Sequence, residues 1–219
     1  MKRIDHSRYL ELLAGAEVLE RDGHGEKVLA LADGTLVKIF RRKRWLSTAS
    51  LIPYARRFVR NTHRLAERGI LTVSVVDLAY CPAVARHLVT YRPLPGTTLR
   101  QALRDSASQR RTLLAAFAHY IARLHQKGIY FRSLHFGNVI VPPDGGELGL
   151  IDVADMSVQG RPLTPRRRVR NFSHILRYRE DRLALRESGW PEFLDNYLET
   201  ASLPPAVVPA LRDRLGKLV

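Results

Sequence analysis

Residues 124–138 read LHQKGIYFRSLHFGN, and the sequence LID follows at 150–152. The apolar residues before Gly128 recur at helical spacing from 111 to 126, which predicts a helix that the glycine ends. A hairpin is predicted over 138–153, because its two β-like segments flank the turn sequence PPDGG. The stretch therefore predicts a helix, a polar loop and a hairpin, in this order.

Side chains with oxygen ligands stand at the predicted ends of this loop and hairpin. Asn138 ends the loop, and Asp152 ends the second hairpin strand. Amide and carboxylate oxygens are ligands of Mg²⁺, and the metal ion neutralises the charge of nucleotide phosphates. A carboxylate at a strand end and a nearby amide oxygen can therefore hold Mg²⁺.

The order of these residues resembles the catalytic loop and the metal-binding aspartate of protein-kinase-like enzymes. In that family, a helix ending in Leu-His leads into His-Arg-Asp, an asparagine follows, and a second aspartate ends a short hairpin strand. Arg132, Asn138 and Asp152 match this pattern. Phe131 stands in place of the histidine, and Ser133 in place of the catalytic aspartate. The resemblance implies a kinase fold with a non-standard catalytic loop, in which Asn138 and Asp152 bind Mg²⁺ and, with it, ATP. Phosphoryl transfer needs this charge neutralisation and alignment more than it needs covalent chemistry.

With Ser133 at the position of the aspartate, the identity of the catalytic base is open, because a serine hydroxyl is no base at neutral pH without a partner. His135 is one candidate, because imidazole titrates near neutrality. Asp155, which follows Asp152 closely, is another candidate, and a domain without any base would be a pseudokinase. His135 has a competing role in holding the loop by a backbone hydrogen bond, and Asp155 has one in capping a helix or structuring the loop. Of the two we favour His135.

A lysine in the front of the chain is a candidate phosphate ligand. The β-rich runs 27–32 and 35–40 are joined by Asp33-Gly34, which predicts a hairpin. Lys38 lies in the alternating second run, as the lysine of the third kinase strand does. We predict that Lys38 clamps the α- and β-phosphates of ATP.

Further nucleotide contacts are predicted at a glycine turn and at a hinge. The turn with Gly23 and Gly25 is a candidate for the loop that covers the phosphates, and an ordinary hairpin loop fits its sequence equally well. Tyr91 stands at the start of the predicted hinge, 91–96, and we expect it to contact the nucleotide.

The helix predicted over 54–68 lacks the glutamate that orients the lysine in kinases. Glu67 is the acidic residue of this helix, but it lies near the C-terminal end, where we expect it to face solvent. Asn61 and Asp155 are the candidates to replace the missing glutamate.

We predict an α+β fold of the two-lobed, protein-kinase-like type. A small β-rich N-terminal lobe covers residues 1–91, and a compact helical C-terminal lobe covers 92–219. Lys38 and Asp152 are expected to face each other across the cleft. Only 67 residues follow Asp152 (219 minus 152), which leaves little room for a long activation segment. A small-molecule or glycolipid acceptor is therefore favoured over a protein.

Between residues 15 and 200 the sequence resembles the bacterial lipopolysaccharide kinase group. This group includes inner-core heptose kinases, Kdo kinases and relatives called toluene-tolerance proteins. The similar segments are RFVRN at 57–61, GIYFRSLH at 128–135, LIDVAD at 150–155 and RNF at 170–172. The resemblance implies ATP-dependent phosphorylation of a sugar in the lipid-linked core oligosaccharide, at the cytoplasmic face of the inner membrane. The alternative is a pseudokinase that acts as a nucleotide-binding or scaffolding partner in envelope assembly.

The charge of the chain predicts an anionic partner. Lys and Arg number 36 against 21 Asp and Glu, a formal charge of +15. Basic runs lie at 41–44 and 166–170, and each is equally compatible with a plain solvated surface. A lipid-linked anionic oligosaccharide or an anionic membrane fits this charge, and the apolar residues that follow the first run, up to 54, favour a lipid surface. Nucleic acid is disfavoured, because no aromatic-rich basic motif or groove-reading helix is recognisable.

Cysteine content and hydropathy indicate the compartment. Cys81 is the single cysteine, so the chain cannot form an internal disulfide, which favours a reducing environment. The N-terminus is polar, and no apolar run approaches the roughly 18 residues of a membrane span. We expect a cytoplasmic protein that binds the inner face of the inner membrane peripherally.

Overall fold

The structure is a computed structural model that describes residues 1–23, 25–41 and 53–219. It divides into two compact units. The first unit is Met1–Glu67 with Thr72–Leu94, and the second is Arg68–Leu71 with Pro95–Val219. His24 and most of the predicted lipid-binding segment, 42–52, lie outside the described residues.

The first unit is built on a mixed sheet flanked by helices. Its helices are α1 (His6–Ala14) and α2 (Tyr54–Ala66). The strands up to Arg92 are β1 (Lys2–Arg3), β2 (Glu17–Asp22), β3 (Gly25–Ala30), β4 (Leu36–Arg41), β5 (Leu71–Thr72), β6 (Ser74–Cys81) and β7 (Arg86–Arg92). All of them except β5 form one six-stranded sheet in the order β1-β6-β7-β4-β3-β2.

The hairpin predicted at Asp33-Gly34 is confirmed between β3 and β4. Gly34 has a φ of +78°, which glycine adopts without the steric cost that a Cβ would bring. The Asp33 carboxylate accepts hydrogen bonds from the Thr35 N–H at 3.0 Å and from the Thr35 hydroxyl at 2.6 Å, and these bonds lower the pKa of Asp33. The turn therefore fixes the register in which Lys38 pairs with Val28.

The two faces of this sheet are covered by different helices. On one face, Val37 and Ile39 of β4 belong to a buried apolar cluster with Tyr9 of α1. Residues alternate along a strand, so Lys38 and Phe40 project from the other face. There the Phe58 ring of α2 packs against Phe40, with ring centroids 5.9 Å apart. Lys38 thus lies on the face that α2 covers.

The second unit is mainly helical, which confirms the predicted α+β class. Its helices are α3 (Leu99–Asp105), α4 (Arg110–Gln126), α5 (Pro165–Ile175), α6 (Arg179–Glu187), α7 (Trp190–Thr200) and α8 (Val208–Gly216). Its short strands are β8 (Thr97–Thr98), β9 (Ile129–Phe131), β10 (Val139–Val141), β11 (Gly149–Leu150) and β12 (Met156–Val158). They form small sheets with the orders β5-β11-β10-β8 and β12-β9.

The predicted helix, loop and hairpin are confirmed in the second unit. The helix is α4, and Gly128 follows it with a φ of +73°. A Cβ at Gly128 would lie 2.4 Å from the carbonyl oxygen of Gln159, so only glycine fits this close approach. The hairpin consists of β10 and β11, which pair antiparallel. We call residues 131–138, between β9 and β10, the catalytic loop.

The basic run at 166–170 is not simply a solvated surface. It forms the first turns of α5, and Arg168 within it is only 1% exposed. The guanidinium of Arg168 donates to the carbonyls of Leu163 and Ala201, at 3.0 and 3.2 Å. These bonds satisfy a charge that would be costly to bury without partners.

No helix in the described ranges has the length and apolar character that crossing a bilayer requires.

Candidate active site

Asn138 and Asp152 come together at the open end of the β10–β11 hairpin. Val139 pairs with Leu150 in this hairpin. One residue further out, the Ile151 N–H donates to the Asn138 carbonyl at 3.1 Å. Asp152 follows Ile151 directly, so both predicted metal ligands stand at this end of the hairpin.

The side chain of Asn138 is held in one orientation. Its Nδ2 donates to the Ser133 carbonyl at 2.9 Å, and the residue is 8% exposed. Because this bond uses the donor end of the amide, the Oδ1 end is the one directed elsewhere. An amide oxygen is one of the oxygen ligands that Mg²⁺ takes in proteins.

The backbone of Asp152 is strained. Its φ and ψ are 54° and 43°, in the left-handed region, and the 3₁₀ helix Val153–Asp155 begins immediately after it. This conformation costs an L-residue on the order of 1–2 kcal/mol, and such strain concentrates at functional sites. The strained position turns the chain at the end of the hairpin strand, where the predicted metal ligand stands.

His135 makes the loop-holding contact that was the alternative to a catalytic role. Its Nδ1 accepts the Gly137 N–H at 3.2 Å, and its ring lies 4.7 Å from the ring of Tyr178, measured between centroids. Burial, followed by the charge of Arg100, lowers the pKa of His135, so the ring is neutral at pH 7 and carries its proton on Nε2. The ring must release Gly137 before Nδ1 can accept a proton from an acceptor hydroxyl.

Asp155 is bound to the first residues of the catalytic loop. Its carbonyl accepts the Arg132 N–H at 3.1 Å, and its carboxylate lies 3.6 Å from the Arg132 guanidinium. The pairing of β9 with β12 continues this contact, with Phe131 opposite Met156. Asp155 therefore connects the segment after Asp152 to the start of the loop. Ser133, which follows Arg132 in the loop, is half-buried.

The start of the catalytic loop is anchored to helices α4, α5 and α7 by a buried chain of hydrogen bonds. The Arg168 guanidinium donates to Tyr197 Oη at 3.1 Å, and the Tyr197 hydroxyl donates to His125 Nδ1 at 2.9 Å. The Nε2–H of His125 then donates to Asn171 Oδ1 at 3.1 Å, and Asn171 Nδ2 donates to the Phe131 carbonyl at 2.7 Å. Each donor and acceptor has one consistent role along this chain.

The donor and acceptor roles assigned to His125 in this chain require a neutral imidazole. Burial, followed by the positive charge of Arg168, lowers the pKa of His125 to about 3. A neutral imidazole has one donor and one acceptor nitrogen, which is what Tyr197 and Asn171 require on either side of it. We call Arg168, Tyr197, His125 and Asn171 the buried relay.

The end of the loop has a second anchor, Asp181 of α6. This carboxylate is 1% exposed and accepts the Phe136 N–H at 3.1 Å. The Arg100 guanidinium binds it with two parallel hydrogen bonds, both 3.0 Å long. A bidentate pair of this kind restricts both side chains to one geometry. The catalytic loop is thus fixed near each of its ends by buried polar groups.

The anchors were not predicted from the sequence. Asn171 stands in the segment 170–172 that was noted for its resemblance, but nothing local indicates that it contacts Phe131. Asp181 lies 45 residues from Phe136, and Arg100 lies 81 residues from Asp181. A buried polar residue amid helical apolar positions is the only local signal, and it identifies no partner.

The predicted nucleotide ligands of the first unit occupy its sheet. Gly23 and Gly25 lie at the exposed turn between β2 and β3, and Gly25 has a φ of +114°. Lys38 lies in β4, between Val28 of β3 and Val89 of β7, and is 8% exposed. Their contacts with phosphates stay predictions.

Tyr91 and Asn61 are part of the core on the Lys38 face. The Tyr91 ring packs 5.7 Å from the Phe58 ring of α2, measured between centroids. Asn61 is fully buried on the same helix, one turn from Phe58, whereas Glu67 is exposed at the helix end, as expected. Asn61 is therefore buried on the helix that covers the Lys38 face, and its role as a partner of Lys38 and the nucleotide contact of Tyr91 both stay predictions.

The fold matches solved structures over nearly the whole chain. "WaaP in complex with acyl carrier protein" is 20% identical and has a TM-score of 0.60, covering 96% of this chain and 92% of that chain. The chain has the fold of WaaP. The resemblance to the lipopolysaccharide kinase group is thereby confirmed at the level of the fold. No protein-family model matches the sequence, and no curated protein matches it significantly.

The kinase-methyltransferase WbdD shares the WaaP-like fold in part. Its structure at 2.2 Å is 15% identical, with a TM-score of 0.51, and covers 88% of this chain and 43% of that chain. A second structure, described as the bifunctional kinase-methyltransferase WbdD, is 16% identical with a TM-score of 0.50. This match covers 88% of the present chain and 42% of the WbdD chain.

The residues of this WaaP-like fold suit Mg²⁺ bound together with a nucleotide rather than alone. The described ranges contain no group of three or more His, Cys, Asp or Glu side chains that would hold a metal ion. Mg²⁺ usually binds through one or two carboxylates and completes its shell with water and substrate phosphates. Asp152 and the oriented amide of Asn138 fit this second type of site.

Proposed function

We propose that this chain is an ATP-dependent kinase that phosphorylates a sugar of the lipopolysaccharide core. The observation that carries the proposal is the position of Asn138 and Asp152 at the open end of the same hairpin, with the amide of Asn138 oriented by the Ser133 carbonyl. The fold shared with WaaP and with the kinase-methyltransferase WbdD supports it. The resemblance of residues 128–135 and 150–155 to the lipopolysaccharide kinase group supports the choice of acceptor.

The proposed nucleotide ligands come from both units. Asn138 and Asp152 would hold Mg²⁺, which supplies positive charge to the phosphates during transfer. Lys38 neutralises the α- and β-phosphates, and Asn61 takes the orienting role that a glutamate has in other kinases. Gly23 and Gly25 cover the phosphates, and Tyr91 contacts the nucleotide near the hinge.

The catalytic loop aligns the acceptor hydroxyl. Ser133 occupies the place of the kinase aspartate, and both candidate bases are engaged, His135 by Gly137 and Asp155 by Arg132. Alignment and charge neutralisation supply most of the catalysis of phosphoryl transfer, whereas a general base adds about 10²- to 10⁴-fold. We therefore propose a slow kinase, in which His135 or Asp155 assists only after its present contact is released.

The decisive experiment measures MgATP binding and phosphate transfer to deacylated core oligosaccharide. We expect the wild type to bind MgATP and to transfer phosphate, and Asp152→Ala to abolish the transfer. Asp144→Ala is the matched control, because Asp144 lies in the turn of the same hairpin and binds only the nearby Gly146 N–H. Equal activity of the two variants would refute the assignment of Asp152.

A pseudokinase is the second candidate function, and Ser133 is the observation that favours it. MgATP binding without transfer to any core oligosaccharide would decide for a nucleotide-binding partner in envelope assembly. The third candidate, a nucleic-acid-binding protein, predicts a salt-dependent gel shift instead.

The proposed site of action is the cytoplasmic face of the inner membrane, where the protein binds peripherally. The charge of +15 suits a lipid-linked anionic oligosaccharide or an anionic membrane surface. Binding to anionic liposomes that weakens with salt would support the membrane, and equal binding to neutral liposomes would contradict it. WaaP was solved with acyl carrier protein, so a carrier protein is the competing partner to test.

A further inference from the structure

Several cationic side chains surround His174 of α5, beside the start of the catalytic loop. Arg177 Nη2 lies 3.3 Å from His174 Nδ1, and Tyr130 Oη lies 2.9 Å from His174 Nε2. Arg132 of the loop and Arg170, one helical turn before His174, also act on this imidazole electrostatically. We call Arg132, Arg170 and Arg177 the arginine cluster.

His174 is neutral within this cluster. A guanidinium can only donate, so Arg177 donates to His174 Nδ1, and the imidazole proton lies on Nε2, from which it is donated to Tyr130. Burial, followed by the charges of Arg177, Arg132 and Arg170, lowers the pKa of His174. The imidazole thus adds no charge of its own and serves as a hydrogen-bonded support.

The positive charge of the arginine cluster exceeds the negative charge of the carboxylates near it. Asp155 is the carboxylate that acts on His174, and it lies 3.6 Å from the Arg132 guanidinium. Within the described ranges, Arg170 and Arg177 form no ion pair, and both are exposed. Other exposed arginines of this unit do have carboxylate partners, such as Arg104 with Glu180 and Arg111 with Glu192.

We propose that the arginine cluster binds an anionic group of the acceptor, a phosphate or a carboxylate. Guanidinium groups bind the oxygens of such anions in planar, bidentate geometry, which lysines do not provide. Arg132 adjoins Ser133 in the catalytic loop, so an anion held here places the rest of the acceptor along that loop. The proposal rests on the proposed kinase function and assigns the part of the site that selects the acceptor.

Direct binding of an anion is tested without any nucleotide. The imidazole signals of His174 are titrated by NMR in the wild type with inorganic phosphate, with acetate and with chloride at equal ionic strength. Phosphate or acetate at the cluster offsets the arginine charges, so we expect it to raise the pKa of His174. An unchanged titration curve with both anions overturns the proposal.

The arginines are tested by substitution. Arg170→Gln and Arg177→Gln each remove one charged donor, and we expect each to weaken phosphate binding about tenfold. Arg186→Gln, at an exposed arginine of α6, is the control and leaves binding unchanged. Wild-type phosphate binding by the double variant of Arg170 and Arg177 would overturn the assignment.

Kinetics separate an acceptor anion from free phosphate. For the anionic core oligosaccharide, we expect Arg170→Gln to raise KM about tenfold while the affinity for MgATP stays the same. An acceptor from which the phosphates are removed enzymatically and in which the carboxylates are reduced chemically should show no such difference between wild type and variant. The same rise in KM for both acceptors would contradict an acceptor anion, whereas failure to bind MgATP would refute the kinase proposal and leave the NMR result standing.

Discussion

The side-chain amide of Asn138 donates to the backbone carbonyl of Ser133, with 2.9 Å between Nδ2 and the oxygen. The proposed metal ligand is therefore oriented by a main-chain group of the residue that stands in the place of the kinase aspartate. A backbone carbonyl is present whatever side chain stands at 133. The exchange of aspartate for serine thus removes a carboxylate from the loop and leaves the orientation of the asparagine intact.

This relationship predicts different effects of two substitutions on MgATP binding. Ser133→Ala keeps the carbonyl, so we expect the MgATP affinity to stay within about twofold. Asn138→Ala removes a proposed metal ligand, and we expect the affinity to fall at least about tenfold. Isothermal titration calorimetry with Asn196→Ala as the control checks both values. A loss of affinity in Ser133→Ala as large as that in Asn138→Ala would show that the hydroxyl itself binds the metal.

For His135, replacement by two different residues separates loop support from base catalysis. His135→Asn retains an acceptor for the Gly137 N–H, so we expect turnover to stay within about tenfold, whereas His135→Ala loses more. A general base would cost about 10²- to 10⁴-fold in both variants alike. The turnover of each variant is measured at saturating MgATP. Equal and large losses would restore His135 as the base.

Asp181 and Arg100 form the ion pair whose loss should cost the most stability. Asp181→Ala leaves the Phe136 N–H without its acceptor and removes one of the two carboxylates that bind Arg100, the other being Glu180. Breaking a buried pair costs about 3–5 kcal/mol. Arg100 is partly exposed and keeps its contact with Glu180, which places the expected loss near the lower limit. Asp213→Ala, in an exposed pair with Lys217, should cost less than about 1 kcal/mol. Urea denaturation measures both, and equal losses would contradict the anchoring role of Asp181.

The buried relay predicts that the protein loses stability in acid. His125 has a folded-state pKa of about 3, below the usual value of 6.5, so the unfolded chain binds a proton that the folded chain refuses. The stability contribution is complete above pH 6.5 and is lost as the pH falls from there towards 3, by at most about 1.4 kcal/mol per pH unit. His125→Gln should flatten this slope, and His119→Gln should not. Parallel slopes for wild type and His125→Gln would refute the prediction.

Sequence patterns predicted the parts of the site that are local. Asn138 and Asp152 belong to a continuous helix, loop and hairpin, whose glycines and turn residues mark its boundaries. Asn171 and Asp181 depend on the packing of helices that follow the loop by about 40 residues, as the Asn171–Phe131 bond shows. When a buried polar side chain bonds to a residue so far away in the sequence, the local pattern of apolar residues does not identify that partner. Arg168 illustrates the limit, because the other arginines of the same basic run, Arg166, Arg167 and Arg170, are exposed.

The buried relay also implies an order in which segments of the second unit reach their final structure during synthesis. The catalytic loop leaves the ribosome before Asn171, and the relay is incomplete until Tyr197 has been made and α7 has packed. During that interval, the His125 imidazole lacks Tyr197 as a partner, and until Asn171 has been made the Phe131 carbonyl lacks the Asn171 amide. The loop proposed to align the acceptor is consequently expected to gain its final shape among the last segments of the second unit. In a nascent chain arrested before Tyr197, the amides of the loop would exchange their hydrogens while those of α4 were already protected.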